Sequence, residues 1–146
     1  MKIHQLSVFV ENKPGRLRPP CEVLAQAGIN IVTLCLADTK QYGILRMIVR
    51  DWQRAQQTLE AAHFVVKITE VLAIEVPDRP GGLAEVLAVI EQSGINVEYM
   101  YAFAEKLVDK AVLIFRFDDV EAALRSLANS KLTMVSDVDL FARSEA

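Results

Sequence analysis

The chain has 146 residues, 52% hydrophobic and 24% charged, with a formal net charge of −3. That balance belongs to a globular protein and excludes a disordered one. The length fits one average domain or two small ones, and two small ones would be marginal alone and need to pack on each other or on a second chain. The densest basic group, Lys13, Arg16 and Arg18, is spaced along a turn. Nucleic-acid binding needs a continuous counterion-releasing face, so no nucleic-acid partner is expected. The N-terminal MKIHQLSVFV alternates like a strand rather than a signal peptide. No apolar run approaches the ~18 residues of a membrane span, so no membrane partner and a cytoplasmic location are expected.

Taken in chain order, residues 3–10 are β-rich, with Leu6, Val8 and Val10 on one face. Asn12-Lys13-Pro14-Gly15 breaks that strand. Leu17, Cys21, Leu24 and Ala25 then recur at helical spacing, and Gly28 stands where a helix ends. Pro19 and Pro20 remove N–H donors inside this helix and predict a bend or a delayed start. Strands are expected at 30–37 and 44–50, around a turn at Asp38-Thr39-Lys40-Gln41. A helix at 52–62, capped by Asp51, and a strand at 64–68 complete the copy. The order then recurs as strand 71–77, helix 82–93, strands 96–103 and 110–117, helix 119–129 capped by Asp118 or Asp119, and strand 132–141. Each copy is β-α-β-β-α-β, the split βαβ arrangement with an antiparallel sheet and both helices on one face. The fold class is therefore α+β.

The two copies keep register. VENKPGRL (10–17) returns as VPDRPGGL (76–83), and AGINI (27–31) as SGINV (93–97), both at an offset of 66 residues, Pro14 to Pro80. The same offset takes Ile48 to Ile114 and Arg50 to Arg116; it becomes 68 at Thr58-Leu59 and Ser126-Leu127, so the second copy carries two extra residues near a loop. The expected domains are 1–69 and 70–146, with no linker between them. Strands 30–37 and 96–103 are apolar on both faces, which a sheet with one solvated face does not explain. A covering sheet or another copy is required, and a homodimer or larger assembly is expected.

Catalytic patterns are absent from the sequence. There is no Ser/His/Asp or Cys/His constellation and no phosphate loop of Walker type. His4 and His63 lack ligand-spaced partners, and Cys21 and Cys35 lack metal or redox spacing, so no metal and no cofactor is expected. Trp52 opens a helix and reads as packing; Tyr99 and Tyr101 are strand aromatics that can also line a pocket.

The loop after the first strand of each copy offers chemistry. A helix start presents unpaired N–H groups and a positive dipole end, which suit a carboxylate. Gly15, Gly81 and Gly82 permit close approach to the backbone. Asn12 and Asp78 can accept from an ammonium. Asn30 and Asn96 open the next strand, expected beside the first, and offer donor and acceptor. The same residues are also ordinary turn formers.

With NKPGRL…AGINI and DRPGGL…SGINV in register, supported by LADTKQYGILRMIV (36–49) and YAFAEKLVDKAVLIFRF (101–117), the chain resembles tandem ACT-domain proteins over nearly its whole length. The resemblance implies two ferredoxin-like units and an allosteric, regulatory role: sensing an amino acid, often at interfaces between paired domains, and modulating a metabolic enzyme or pathway. It makes the candidate ligand-binding residues Asn12, Pro14, Gly15, Arg16, Leu17, Asn30 and Ile31 in the first copy. Those in the second are Asp78, Pro80, Gly81, Gly82, Leu83, Asn96 and Val97. A ligand-free interaction subunit of an enzyme and a small acylphosphatase-like enzyme are the alternatives. The undisturbed helix of the second copy, with acidic Asp78, makes it the better site of the two.

Overall fold

The computed structural model describes residues 1–38, 40–103 and 109–145. Thr39 in the expected turn, and residues 104–108 of the second hairpin motif, lie outside the described residues. The chain divides into two compact units, His4–Thr69 and Met1–Ile3 with Glu70–Ala146.

The first unit holds β1 (Ile3–Glu11), α1 (Arg18–Gln26), β2 (Ile31–Asp38), β3 (Tyr42–Val49), α2 (Trp52–Ala61) and the start of β4 (Val65–Pro77). Its strand order is β2-β3-β1-β4. β3 is antiparallel to both β1 and β2. The alternation of Leu6, Val8 and Val10 puts all three in the core with Leu45 and Met47 of β3. Leu24 of α1 and Ala55 and Leu59 of α2 cover them, so a two-residue strand period meets a helical stripe. Each such leucine or methionine contributes about 1.5–3 kcal/mol by burial. Asp51 caps α2, accepting from the Arg54 N–H at 3.1 Å. Trp52 stacks on His4 with ring centroids 4.4 Å apart, a packing role as expected.

The second unit takes the rest of β4, then α3 (Gly82–Gln92), β5 (Val97–Phe103), β6 (Lys110–Phe117), α4 (Val120–Leu127), β7 (Met134–Val135) and α5 (Asp137–Ser144). The strand order β7-β4-β6-β5 repeats that of the first unit. Leu72, Ile74 and Val76 of β4 join Phe115 and Phe117 under Val86 and Ile90 of α3 and Ala123 and Leu127 of α4. Asp119 caps α4 through the Ala122 N–H at 2.9 Å, while Asp118 accepts from the N–H of Asp119.

Two expectations need correction. The last strand is not 132–141 but two residues long, and it leads into α5. Ser136 caps α5 by accepting from the Asp139 N–H, and Asp137 and Asp139 in its first turn complement the helix dipole. α5 buries Leu140 and ties Arg143 to Glu75. Since Ile74 and Val76 face α3 and α4, the alternation turns Glu75 to the opposite face, where α5 attaches. The second correction concerns register. Leu6 pairs with Met47 and Leu72 with Phe115, so the offset is already 68 on β6. The two extra residues precede β6, and Ile48 corresponds to Arg116 rather than to Ile114. Even the irregularity at Ile31/Thr33 recurs at Val97/Tyr99.

β2 and β5 are edge strands. Leu34 and Leu36 on β2 are 48% and 49% exposed, and Met100, the repeat partner of Leu34, is 39% exposed.

Candidate functional site

Each entry loop turns on one glycine with a left-handed backbone: Gly15 at φ 81° and Gly81 at φ 85°. A non-glycine residue rarely adopts that conformation, so the turn itself is the same in both copies. The helices entered from these turns differ. α3 begins at Gly82 with Gly81 as its N-cap, whereas α1 begins at Arg18, two repeat positions later. Pro19 and Pro20 fall at its second and third positions, where a missing N–H costs no helical bond. An earlier start would push Pro20 into the interior. The prolines therefore delay the helix without bending it. Gly82 is demanded by contact: a Cβ there would stand 2.0 Å from the carbonyl oxygen of Pro77.

The candidate residues of the first unit lie apart. Asn12, Pro14, Gly15, Arg16 and Leu17 form an exposed turn, with the Asn12 N–H donating to the Gln41 carbonyl at 3.1 Å. Asn30 is exposed at the start of β2, and Ile31 packs against the core. β3 lies between β2 and β1, so Asn30 does not open a strand adjacent to β1, contrary to expectation.

The second unit repeats this. The Asp78 N–H donates to the Asp109 carbonyl at 3.0 Å, and the Asp118 N–H donates to the Asn96 carbonyl at 3.2 Å. Pro77 pairs with Lys110 and Val97 with Phe117. Asn96 therefore lies at the opposite end of the sheet from Asp78, about 25 Å away at strand spacing. Leu83 and Val97 pack against the core; Pro80 and Gly81 are exposed, and Gly82 is buried against Pro77. Within one unit the asparagine and the entry loop cannot touch one small ligand.

A concavity of about 480 Å³ opens beside the end of β4 in the second unit. Glu75, Asp78, Arg79, Glu85, Asp109, Lys110 and Lys131 line it with Val76, Pro77, Val86, Leu132 and Thr133. Of the candidate residues, Asp78 alone is among them. Arg79 grips Glu85 in a two-pronged bond, Nη1–Oε1 at 2.9 Å and Nη2–Oε2 at 2.8 Å, which holds the Glu85 carboxyl below its usual range and raises Arg79. Glu75 accepts from Lys110 Nζ at 3.1 Å and from Arg143 Nη2 at 2.9 Å. Burial pushes its carboxyl up, but the bonds from Arg143 and Lys110 together outweigh burial and leave it below the usual range.

Residues 1–143 match the ACT domain pair family. The chain belongs to that family. A protein of Bacteroides thetaiotaomicron is 40% identical, with 97% of this chain and 96% of that one covered at a TM-score of 0.88. The ligand-free regulatory subunit of aspartate kinase from Thermus thermophilus is 17% identical, covering 90% and 94% of the two chains at a TM-score of 0.63. That from Thermus flavus is 16% identical, covering 88% and 92% at 0.60. The last two share the fold. No curated protein shows a significant sequence match.

Sequence reasoning missed Glu75, Asp109, Lys110, Lys131 and Thr133 in this second ACT unit. One signal was present: Glu75 is an acid within the otherwise apolar VLAIEV run (71–76). Lys131 was hidden because the α4–β7 connection read as the approach to a long strand.

Proposed function

We infer that this ACT pair binds a free amino acid and transmits its presence to a metabolic enzyme, without catalysing a reaction itself. The observation that carries the reading is the concavity at the strand-to-helix turn of the second unit, rich in both signs of charge, as a zwitterion requires. Of the site residues read from sequence, Asp78 lines this concavity; Asn12, Pro14, Gly15, Arg16, Leu17, Asn30 and Ile31 of the first copy and Pro80, Gly81, Gly82, Leu83, Asn96 and Val97 of the second lie outside it. In this reading an asparagine meets an entry loop only from outside its own unit, and a second chain can supply that contact. The half-exposed Leu34 and Leu36 on the β2 edge favour such a homodimer. The units 1–69 and 70–146 act as its two ACT modules in the cytoplasm; no helix among the described residues is long and apolar enough to cross a membrane.

A thermal-shift screen over the standard amino acids tests this, since a ligand selective for the folded state raises Tm by mass action. One or a few amino acids should raise Tm, and acyl phosphates should be hydrolysed only at background rate. A flat screen, or hydrolysis that tracks the purified protein, would contradict the reading.

A further inference from the structure

Resting on the amino-acid reading above, we propose that the concavity of the second unit is itself the ligand site, with Lys131 binding the α-carboxylate and Asp78 and Asp109 binding the ammonium. The assignment rests on which charges are already committed. Lys110 is bonded to Glu75 and Arg79 to Glu85. Among the described residues the side chains of Lys131, Asp78 and Asp109 have no hydrogen-bond or ion-pair partner, although the charge of Lys131 reaches Glu85 and helps lower it. One cation and two carboxylates thus remain open in one cavity, the complement of an α-amino acid's head group.

The strand register places them. β6 flanks β4 on one side, with Lys110 opposite Pro77 and the Asp78 N–H on the Asp109 carbonyl. The segment before β7 flanks it on the other, with the Glu75 N–H on the Thr133 carbonyl at 2.9 Å. The flanking chains lie two strand spacings apart, about 10 Å. Side chains from both flanking chains border the same concavity. Val76, Val86 and Leu132 supply an apolar wall for the rest of the ligand.

The α3 amides are not the carboxylate site in this arrangement. None of residues 80–84 lines the concavity, and Leu83 is turned into the core. The first unit supplies an internal control. With an offset of 66 before the hairpin and 68 after it, its counterparts of Asp78, Asp109 and Lys131 are Asn12, Gln41 and His63. Both carboxylates have become amides and the lysine a histidine. The counterpart of Glu85 is Pro19. The first unit cannot offer the same charges, so each chain should hold one such site.

The test uses the full chain and a panel of the standard L-amino acids, each at one fixed millimolar concentration, then calorimetry with whichever gives the largest thermal shift and with its carboxamide. Lys131→Met and Asp109→Asn are exposed positions, and unliganded Tm and circular dichroism verify their folding. Each variant should weaken the amino acid about 10-fold or more, the loss of one charge-assisted hydrogen bond. The carboxamide should bind wild type and Lys131→Met equally weakly. Undiminished affinity in both variants, with wild type binding, overturns this assignment and leaves the amino-acid reading intact. Equal losses for acid and carboxamide in Lys131→Met also overturn it, because the lysine would then act through structure. A panel that leaves wild type unshifted overturns both.

Discussion

The two entry loops share a turn and differ in the helix it leads into. Gly15 and Gly81 hold nearly the same left-handed φ. Yet α3 starts at the next residue, and α1 waits until Arg18 because Pro20 tolerates no place deeper in a helix. The second loop is closed by Gly82 against Pro77 and bordered by charged side chains. The first carries Pro19 and Pro20 where the second has Glu85 and Val86. Duplication thus preserved the backbone geometry and the core while the charges around one turn diverged. The turn is scaffold, and the residues around it carry any specificity.

The largest test of that difference is Gly82→Ala. Its Cβ would meet backbone at 2.0 Å, so the strand-to-helix turn must shift, at about 3 kcal/mol. Urea unfolding measures this. The equivalent first-copy position is already Arg16, so Arg16→Ala should be nearly neutral. Similar losses at both would show that the loops are not distinct in packing.

Next comes Glu75→Gln, which has no first-copy counterpart because Phe9 stands there. It should cost about 1.5 kcal/mol at neutral pH by weakening the ties to Arg143 and Lys110. The Glu75 carboxyl is held below its unfolded value, so its contribution is present above the usual carboxylate range and disappears as pH falls through the lowered folded value. Stability measured from neutral to acid pH should therefore fall less steeply in the variant. An unchanged slope would remove Glu75 as the fastening of α5.

Smaller and equal effects are expected where the copies agree. Asp51→Ala and Asp119→Ala each remove one N-cap, at about 1 kcal/mol. Unequal losses in thermal melts would break the equivalence of α2 and α4. Smallest of all is Arg79→Ala: both partners of the Arg79–Glu85 fork are more than half exposed, and Tm should not move.

Much of the fold was legible because period and punctuation agreed. Leu6, Val8 and Val10 announced a strand face, Asp51 a cap, and the repeated Pro-Gly and Gly-Ile-Asn a duplication. α5 was not legible as a helix, since Asp137-Val138-Asp139-Leu140 alternates polar and apolar as a strand does. The Ser136–Asp139 spacing was the overlooked cue. The candidate site was legible only in part. Asp78 stood out at a turn, but the nearness of Asp109 depends on where two inserted residues fall, and that of Lys131 on a segment flanking β4 from far along the chain. Asn30 and Asn96 looked close to the loops because consecutive strands were assumed adjacent, whereas the third strand of each unit intervenes.

Under the proposed assignment, one of two near-identical turns borders a ligand site and the other does not. Isothermal titration calorimetry of the wild-type chain, with the amino acid giving the largest thermal shift, tests it most directly. One ligand bound per chain, abolished or strongly weakened by Lys131→Met, is the predicted result; two equivalent ligands per chain, or one that is indifferent to Lys131, would contradict it.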